Sequence, residues 1–378
     1  MKKVLIFTVS TGGGHNQAAK SLSFKFQSYG YNTIVVDILK LTNKVMEKLF
    51  AEGYEILSCN MPKVYRGLYN YSNKQNINGK LTKYIYRIFK RKIYKLICEE
   101  NPDLIIGTHP FIVNVISNLK QRKRLFIPFI SVVTDFKAHS SYFSKYVDAY
   151  ITGSKYTNIG MINEGIPEER LYSYGIPIRQ EFLSNDGSYG KRDYNGFTIL
   201  LMGGSMGIKS IEDVLEGLVN CYNKLRIVVV CGNNKSLMDK LKSRYKYSPI
   251  NKDIIIYGFT DNIPKLMDEA DILISKPGGL TVSEAIVKRL PILIPYMLPG
   301  QEEDNAEFLL NSGIAMMVND IDRIDNIIDD LVNKPEILEK MKLKMEEIAQ
   351  HYSVDNIVKL GERLINKYRI IYCLKKAE

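Results

Sequence analysis

The segment "DILISKPGGLTVSEA", residues 271–285, sets a lysine and two glycines between an apolar run and a helical pattern. Lys276 offers a point charge, Gly278 and Gly279 let another group approach the backbone, and the N-terminus of the following helix favours negative charge. Together these suit a diphosphate. Glu284, one turn into the helix, has two oxygens that can accept hydrogen bonds from a ribose diol. The competing account is purely structural: Thr281 and Glu284 match the Thr-x-x-Glu capping box that closes an ordinary helix. A second cluster, "VSTGGGHNQAA" at residues 9–19, sets His15 behind three consecutive glycines. An imidazole with a pKa near ~6.5 is suited to take the proton from a hydroxyl as it becomes a nucleophile.

Neither loop is one of the familiar nucleotide motifs. "GGGHNQ" has Gln17 where a dinucleotide fingerprint needs its third glycine, and "GGSMGIKS" has Ile208 where a Walker loop needs glycine before its lysine. Both still present backbone N–H groups at a helix start. Of the four histidines, His15, His109 and His139 follow apolar runs of the N-terminal half, whereas His351 falls in a late helical pattern and reads as structural. His15 is the first choice for a general base, with the Asp135/His139 pair as the alternative. His15 could instead position a lipid phosphate or the molecule that carries the hydroxyl, while another carboxylate takes the proton. Asp320-Ile-Asp322 is formally a DxD metal pattern, but acids at a helix start are ordinary complements of the dipole, and no metal is expected. Five cysteines without CxxC spacing fit reduced thiols and argue against a zinc site.

The elements that carry these residues are legible as alternating patterns. "KKVLIFTVS", "NTIVVDIL", "DLIIGTH", "IPFISVVTD" and "AYITGS" are followed, after the polar stretch "SNDGSYGKRDYNG", by "FTILLMGG", "RIVVVCG", "DIIIYGF", "DILISK" and "LPILIPY". Continuous Val/Ile/Leu runs separated by helical spacing predict parallel sheets covered on both faces. The expected fold is α/β, two doubly wound Rossmann-like domains facing a cleft, with the boundary near 178–196. In such sheets ligands bind beyond the carboxyl ends of the strands, where the glycine clusters fall.

The net charge of +11 is concentrated. Residues 61–98 hold ten Lys/Arg (Lys63, Arg66, Lys74, Lys80, Lys83, Arg87, Lys90, Arg91, Lys92, Lys95) and no Asp or Glu. Within "KLTKYIYRIFKRKIYKLI" the cations and an apolar stripe recur at helical spacing, and tyrosines are interleaved. This predicts a basic amphipathic helix at an anionic membrane surface, where each Lys or Arg contributes about 1 kcal/mol. Nucleic acid, the rival partner for basic and aromatic residues, is not expected. No apolar stretch approaches the ~18–20 residues of a spanning helix, and "MKKVLIFTVS" lacks a cleavage site. The expectation is a cytoplasmic chain attached peripherally to the membrane.

The set "STGGGH", "THP", "VVTDF" with His139, "GIPI", "MGGSMG", "VVCGNN", "GF", "SKPGGLTVSEA" and "PGQEEDN" resembles the monogalactosyl- and processive glucosyl-diacylglycerol synthases. These are inverting GT-B glycosyltransferases related to the transferase that forms peptidoglycan lipid II. The resemblance runs from about Lys3 to about Tyr352. It implies a UDP-hexose donor in a C-terminal domain, 179–352, and diacylglycerol reaching an N-terminal domain, 1–178, to which the last helix, 353–378, returns in many proteins of this fold. By the same resemblance Gly203, Gly204 and Ser205 would face the diphosphate, and Gly232 and Asn233 would flank the nucleotide. Phe259 would sit beside the uracil. Lys276, Gly278, Gly279 and Thr281 would hold phosphate, Glu284 the ribose, and Gln301, Glu302 and Asn305 the sugar hydroxyls. No metal or other cofactor is implied. The alternatives are N-acetylglucosaminyl transfer to a polyprenyl-linked precursor and a soluble UDP-sugar epimerase.

Overall fold

A computed structural model describes residues 1–10, 13–41, 80–183, 194–203 and 208–377. Gly12, Gly204, Ser205 and the basic residues 61–79 lie outside the described residues. The chain forms two compact units, one of Met1–Arg179, Pro299–Gln301 and His351–Glu378, the other of Gln180–Leu298 and Glu302–Gln350.

In the first unit six parallel strands, β1 (Lys3–Thr8), β2 (Asn32–Asp37), β3 (Leu104–Gly107), β4 (Phe129–Val132), β5 (Ala149–Ile151) and β6 (Leu171–Tyr172), lie in the order β2-β1-β3-β4-β5-β6. The connecting helices are α1 (Gly13–Ser28), α2 (Lys80–Glu100), α3 (Pro110–Gln121) and α4 (Lys155–Asn163). All residues of β3 and β4 are buried, as a sheet covered on both faces requires. Leu5, at the centre, pairs with Ile34 on one side and Ile105 on the other.

The second unit repeats the plan. Strands β7 (Phe197–Met202), β8 (Leu225–Val230), β9 (Lys252–Tyr257), β10 (Ile272–Ser275), β11 (Ile292–Ile294) and β12 (Ala315–Met317) run parallel in the order β12-β11-β10-β7-β8-β9. Its helices are α5 (Gln180–Leu183), α6 (Ile208–Val219), α7 (Lys235–Arg244), α8 (Ile263–Glu269), α9 (Gly279–Val287), α10 (Gln301–Asn311), α11 (Ile324–Asn333) and α12 (Pro335–Ala349). His351, expected in a helix, sits in the turn after α12.

The last helix, α13 (Val354–Ala377), belongs to the first unit. Lys25 pairs with Asp355 at 2.9 Å, Arg369 with Asp103 at 2.8 Å, and the Tyr368 hydroxyl donates to Asp148 at 2.6 Å. The turn into this helix rests on "GIPI". Gly175 has φ +84°, and a Cβ there would lie 2.5 Å from the Tyr352 ring, whose hydroxyl donates to the Gly153 carbonyl. Gly165 has a similar φ of +87° but open space around it. A left-handed backbone costs a non-glycine residue about 1–2 kcal/mol, and overpacking adds about 1–3 kcal/mol. Gly175→Ala should therefore destabilise the protein clearly more than Gly165→Ala in urea unfolding. Equal losses would show that Tyr352 yields freely.

Candidate active site

Both sheets reverse their strand order at one point, between β1 and β3 in the first unit and between β7 and β10 in the second. At such a switch the crossover connections leave to opposite faces, so a crevice opens beyond the carboxyl ends of the two strands. The sequence places its chemistry there. β1 leads through the glycines to His15 and β3 to Thr108-His109, while β7 leads to Gly203 and β10 to Lys276-Pro277-Gly278.

In the first unit His15 stands in the opening turn of α1, with Gly13 and Gly14 as the first two helical residues. Its Nδ1 lies 2.6 Å from the Thr108 carbonyl oxygen. A carbonyl only accepts, so Nδ1 carries the proton and Nε2 keeps a lone pair. Thr108 returns the contact: its hydroxyl donates to the His15 carbonyl at 3.2 Å. Thr134, after β4, stands 3.1 Å from the same Nδ1 and 3.3 Å from the Tyr142 hydroxyl. The His109 ring meets that of His15 edge-on, with centroids 4.7 Å apart. His109 caps α3, its Nδ1 accepting the Phe111 N–H at 3.1 Å, so a neutral His109 carries its proton on Nε2.

Burial pulls the His15 pKa from 6.5 to about 4, with the Thr108 contact opposing. An unperturbed imidazole titrates near ~6.5; desolvation is the reason for the difference. His109 is likewise held well below its usual value, by burial and then by His15. His15 is thus neutral at pH 7 and able to accept a proton on Nε2.

Asp135 is buried after β4, and its charge adds to burial in pushing the Tyr142 phenol above its usual range. His139 turns its Nδ1 to Ser141, accepting that backbone N–H at 3.2 Å and so capping the turn at 140–142. The chain on either side of the glycines is tied together by Thr8, Ser10, Asn16 and Asp37, which no motif singles out. Thr8 donates to Asn16 at 2.9 Å, Asn16 donates to Ser10 at 2.8 Å, and Ser10 donates to Asp37 at the end of β2. Their signal was position: each is a polar residue at the carboxyl end of a strand or beside the glycines.

In the second unit Lys276 leaves β10 and the Gly278 N–H closes a tight turn on the Lys276 carbonyl at 2.9 Å. Gly278 is the N-cap of α9 and supplies no side-chain cap. The first-turn N–H groups of Gly279, Leu280 and Thr281 have no acceptor within the helix, as at any helix start. Thr281 lies inside the helix, three residues past the N-cap, so Thr281 and Glu284 are not a capping box. Glu284 is buried.

Helix α10, opened by Gln301, braces this turn. The Lys276 ammonium pairs with Glu302 at 2.7 Å, and the other Glu302 oxygen accepts the Leu298 N–H at 2.9 Å. Asn305, fully buried, donates to the Pro277 carbonyl at 3.1 Å, so its amide holds the turn in shape. Tyr296 donates to the Gly203 carbonyl at 3.3 Å, tying the end of β7 to the segment after β11. Gly232 makes the turn after β8 with φ +56°, followed by exposed Asn233. Phe259, just past β9, is 70% exposed, a flat apolar platform open to a planar ring. Asp320 accepts the Asp322 N–H and caps the short turn there.

Residues 15–178 match the family described as monogalactosyldiacylglycerol (MGDG) synthase, and residues 198–357 match the glycosyltransferase family 28 C-terminal domain. The chain is 30% identical over 368 residues to a processive diacylglycerol beta-glucosyltransferase of Bacillus cereus (strain AH187), covering 94% of this chain and 92% of that one. It is 29% identical over 378 residues to the protein of the same name from Staphylococcus epidermidis, covering 95% and 92%. The crystal structure of Acinetobacter baumannii MurG shares the fold, with a TM-score of 0.69 at 17% identity over 96% of this chain and 99% of that one.

The His15 geometry makes a pH-dependent prediction. Between pH 6.5 and 4 the unfolded chain binds a proton at His15 that the folded chain does not, so stability falls as pH drops through this window. His15→Gln removes that contribution. Urea unfolding at pH 7 and pH 4.5 should show the parent losing more stability on acidification than the variant. An equal loss would mean that His15 is already charged in the folded protein.

Proposed function

This chain belongs to the family of monogalactosyl- and processive glucosyl-diacylglycerol synthases, and we propose that it transfers glucose from UDP-glucose to diacylglycerol, forming a glycolipid with inversion at the anomeric carbon. Transfer of a hexose to diacylglycerol rests on the relatives that span nearly the whole chain, and the choice of glucose on their printed activity. The single observation that carries the mechanism is the His15–Thr108 contact, which leaves Nε2 of a neutral imidazole as the proton acceptor.

In the step itself the diacylglycerol hydroxyl oxygen forms a bond to the anomeric carbon as the bond from that carbon to the β-phosphate oxygen breaks. The hydroxyl proton goes to Nε2 of His15, and UDP leaves carrying the electron pair. Charge on the departing diphosphate is met by Lys276 and the first-turn N–H groups of α9, so no metal ion is needed for that purpose. Glu284 takes the ribose and Phe259 lies against the uracil. Glu302 and Gln301 serve the sugar hydroxyls, and Asn305 keeps the Pro277 turn in place for them. Asp135 and His139 remain the alternative acceptors of the proton.

The acceptor lives in a bilayer, and the basic amphipathic helix supplies the contact. In α2, Arg87, Arg91, Lys92 and Lys95 are exposed, while Phe89, Ile93 and Ile97 are buried against the unit's own core. Among the described residues no helix is long and apolar enough to cross a membrane. The enzyme therefore works as a peripheral protein on an anionic surface.

The test is incubation with UDP-glucose or UDP-galactose and diacylglycerol in phosphatidylglycerol-containing vesicles, with mass and linkage analysis of the product. The expected result is a β-glucosyl lipid whose formation survives excess EDTA. His15→Ala should lower kcat by about 10²-fold or more, and Lys276→Ala by about 10²–10³-fold. The acid limb of kcat/KM should lie well below pH 6.5, following His15. No glycolipid from either donor would defeat the proposal; full turnover by His15→Ala would defeat only the assignment of the base.

A further inference from the structure

We propose that His109 is a positioning residue for the base: its ring, locked in place by the start of α3, forms a wall that holds the His15 imidazole and keeps water from that side of it. The inference rests on the transfer reading above, in which His15 takes the proton, and it gives a role to a residue that has no part in that step.

The turn after β3 grips His15 in three ways. The Thr108 carbonyl oxygen lies 2.6 Å from Nδ1, the Thr108 hydroxyl donates to the His15 carbonyl at 3.2 Å, and the His109 ring meets the His15 ring with centroids 4.7 Å apart and planes at 69°. The first two contacts hold one nitrogen and the backbone of His15. The third packs against the imidazole as a body, and among the described residues it is the one aromatic contact that His15 makes. Both rings are half-buried, so removing one would open the other to water.

His109 can serve as a wall because both its side chain and its backbone are tied into the first turn of α3. Its Nδ1 accepts the Phe111 N–H at 3.1 Å, and its carbonyl accepts the Ile112 N–H at 3.0 Å. Phe111 in turn packs on Phe89 of α2, with centroids 5.4 Å apart. The cap also decides which of the two rings takes a proton. A proton added to neutral His109 would fill Nδ1 and break the cap, whereas Nε2 of His15 has no partner among the described residues. His109 therefore stays neutral while His15 titrates.

Capping alone does not call for an imidazole. Ser, Thr, Asp and Asn are the favoured N-caps and would close this helix with a short side chain. What the histidine adds is a ring, and the ring is the part that reaches His15. The other groups facing His15 are Thr108 after β3 and Thr134 after β4, with the Tyr142 hydroxyl 3.3 Å beyond Thr134. The charge of Asp135 bears on Tyr142, while the His15 pKa is lowered by burial against the opposing Thr108 contact. Exclusion of water is thus what sets the proton affinity of this imidazole, and His109 supplies part of it.

The experiment separates the ring from the cap. His109→Asn keeps an acceptor for the Phe111 N–H and removes the ring; His109→Phe keeps a ring and removes the acceptor. The Cε1–H resonance of His15, assigned by its loss in His15→Gln, is followed by NMR against pH in the full chain. It should titrate near pH 4 in the parent and in His109→Phe, and clearly nearer pH 6.5 in His109→Asn, where water replaces the ring. In the transfer assay His109→Asn should lower kcat by about tenfold with the KM for UDP-glucose unchanged, and move the acid limb of kcat/KM upward. In a His15→Gln background the same substitution should cost nothing further, because the residue it serves is gone. A parent-like His15 titration in His109→Asn, or an equal rise in His109→Phe, would overturn the proposal, as would the same loss of kcat in both backgrounds. The titration needs no substrate: absence of glycolipid from the parent counts against the transferase, and the NMR result still decides on the wall.

Discussion

Parallel strands impose the constraint from which the rest of this structure follows. Each strand must be joined to the next by a crossover, so every carboxyl end opens onto the same edge of its sheet. At the point where strand order reverses, neighbouring crossovers part and leave backbone and side chains uncovered. β1 and β3 meet this condition in one unit, β7 and β10 in the other. His15, Thr108, Gly203 and Lys276 owe their position to that geometry. A glycine-rich segment elsewhere on the same sheets would be an ordinary turn.

Accessibility alone does not make an imidazole a base. The reciprocal pair of contacts between His15 and Thr108 fixes the start of α1 to the end of β3 and selects one tautomer. Asn16, Ser10 and Asp37 hold the preceding loop from the other side. The result is a histidine whose reactive nitrogen is set by backbone geometry, with no flexible carboxylate required to orient it.

Much of this was legible in the amino-acid sequence, and the parts that were not have a common cause. Each of the ten Val/Ile/Leu-rich runs is a strand, because continuous apolar patterning is what a doubly covered parallel sheet demands. The two-residue β6 gave no such signal, being too short to show any period. Single residues were harder. His15 could be picked out by type and neighbours, but its tautomer depends on Thr108, 93 residues away in the chain. The Thr-x-x-Glu pattern suggested a cap at Thr281, yet the helix begins earlier because Gly278 ends the turn by bonding back to Lys276. Asn305 could be picked out by position, but not that its amide donates to the Pro277 carbonyl. Pattern reveals which segments meet; it does not reveal which polar atoms satisfy one another.

Burial serves opposite ends in the two units. Around His15 it disfavours charge, which keeps the imidazole neutral and able to accept a proton at physiological pH. A charged neighbour there would work against the chemistry, and the nearest ring is a second neutral histidine. At Lys276 the proposed role is the reverse, since a departing diphosphate calls for a positive charge. The partner that makes this tolerable is Glu302, itself anchored by the Leu298 N–H. The proposed proton acceptor and the proposed charge acceptor thus sit in different surroundings, one in each unit of the fold.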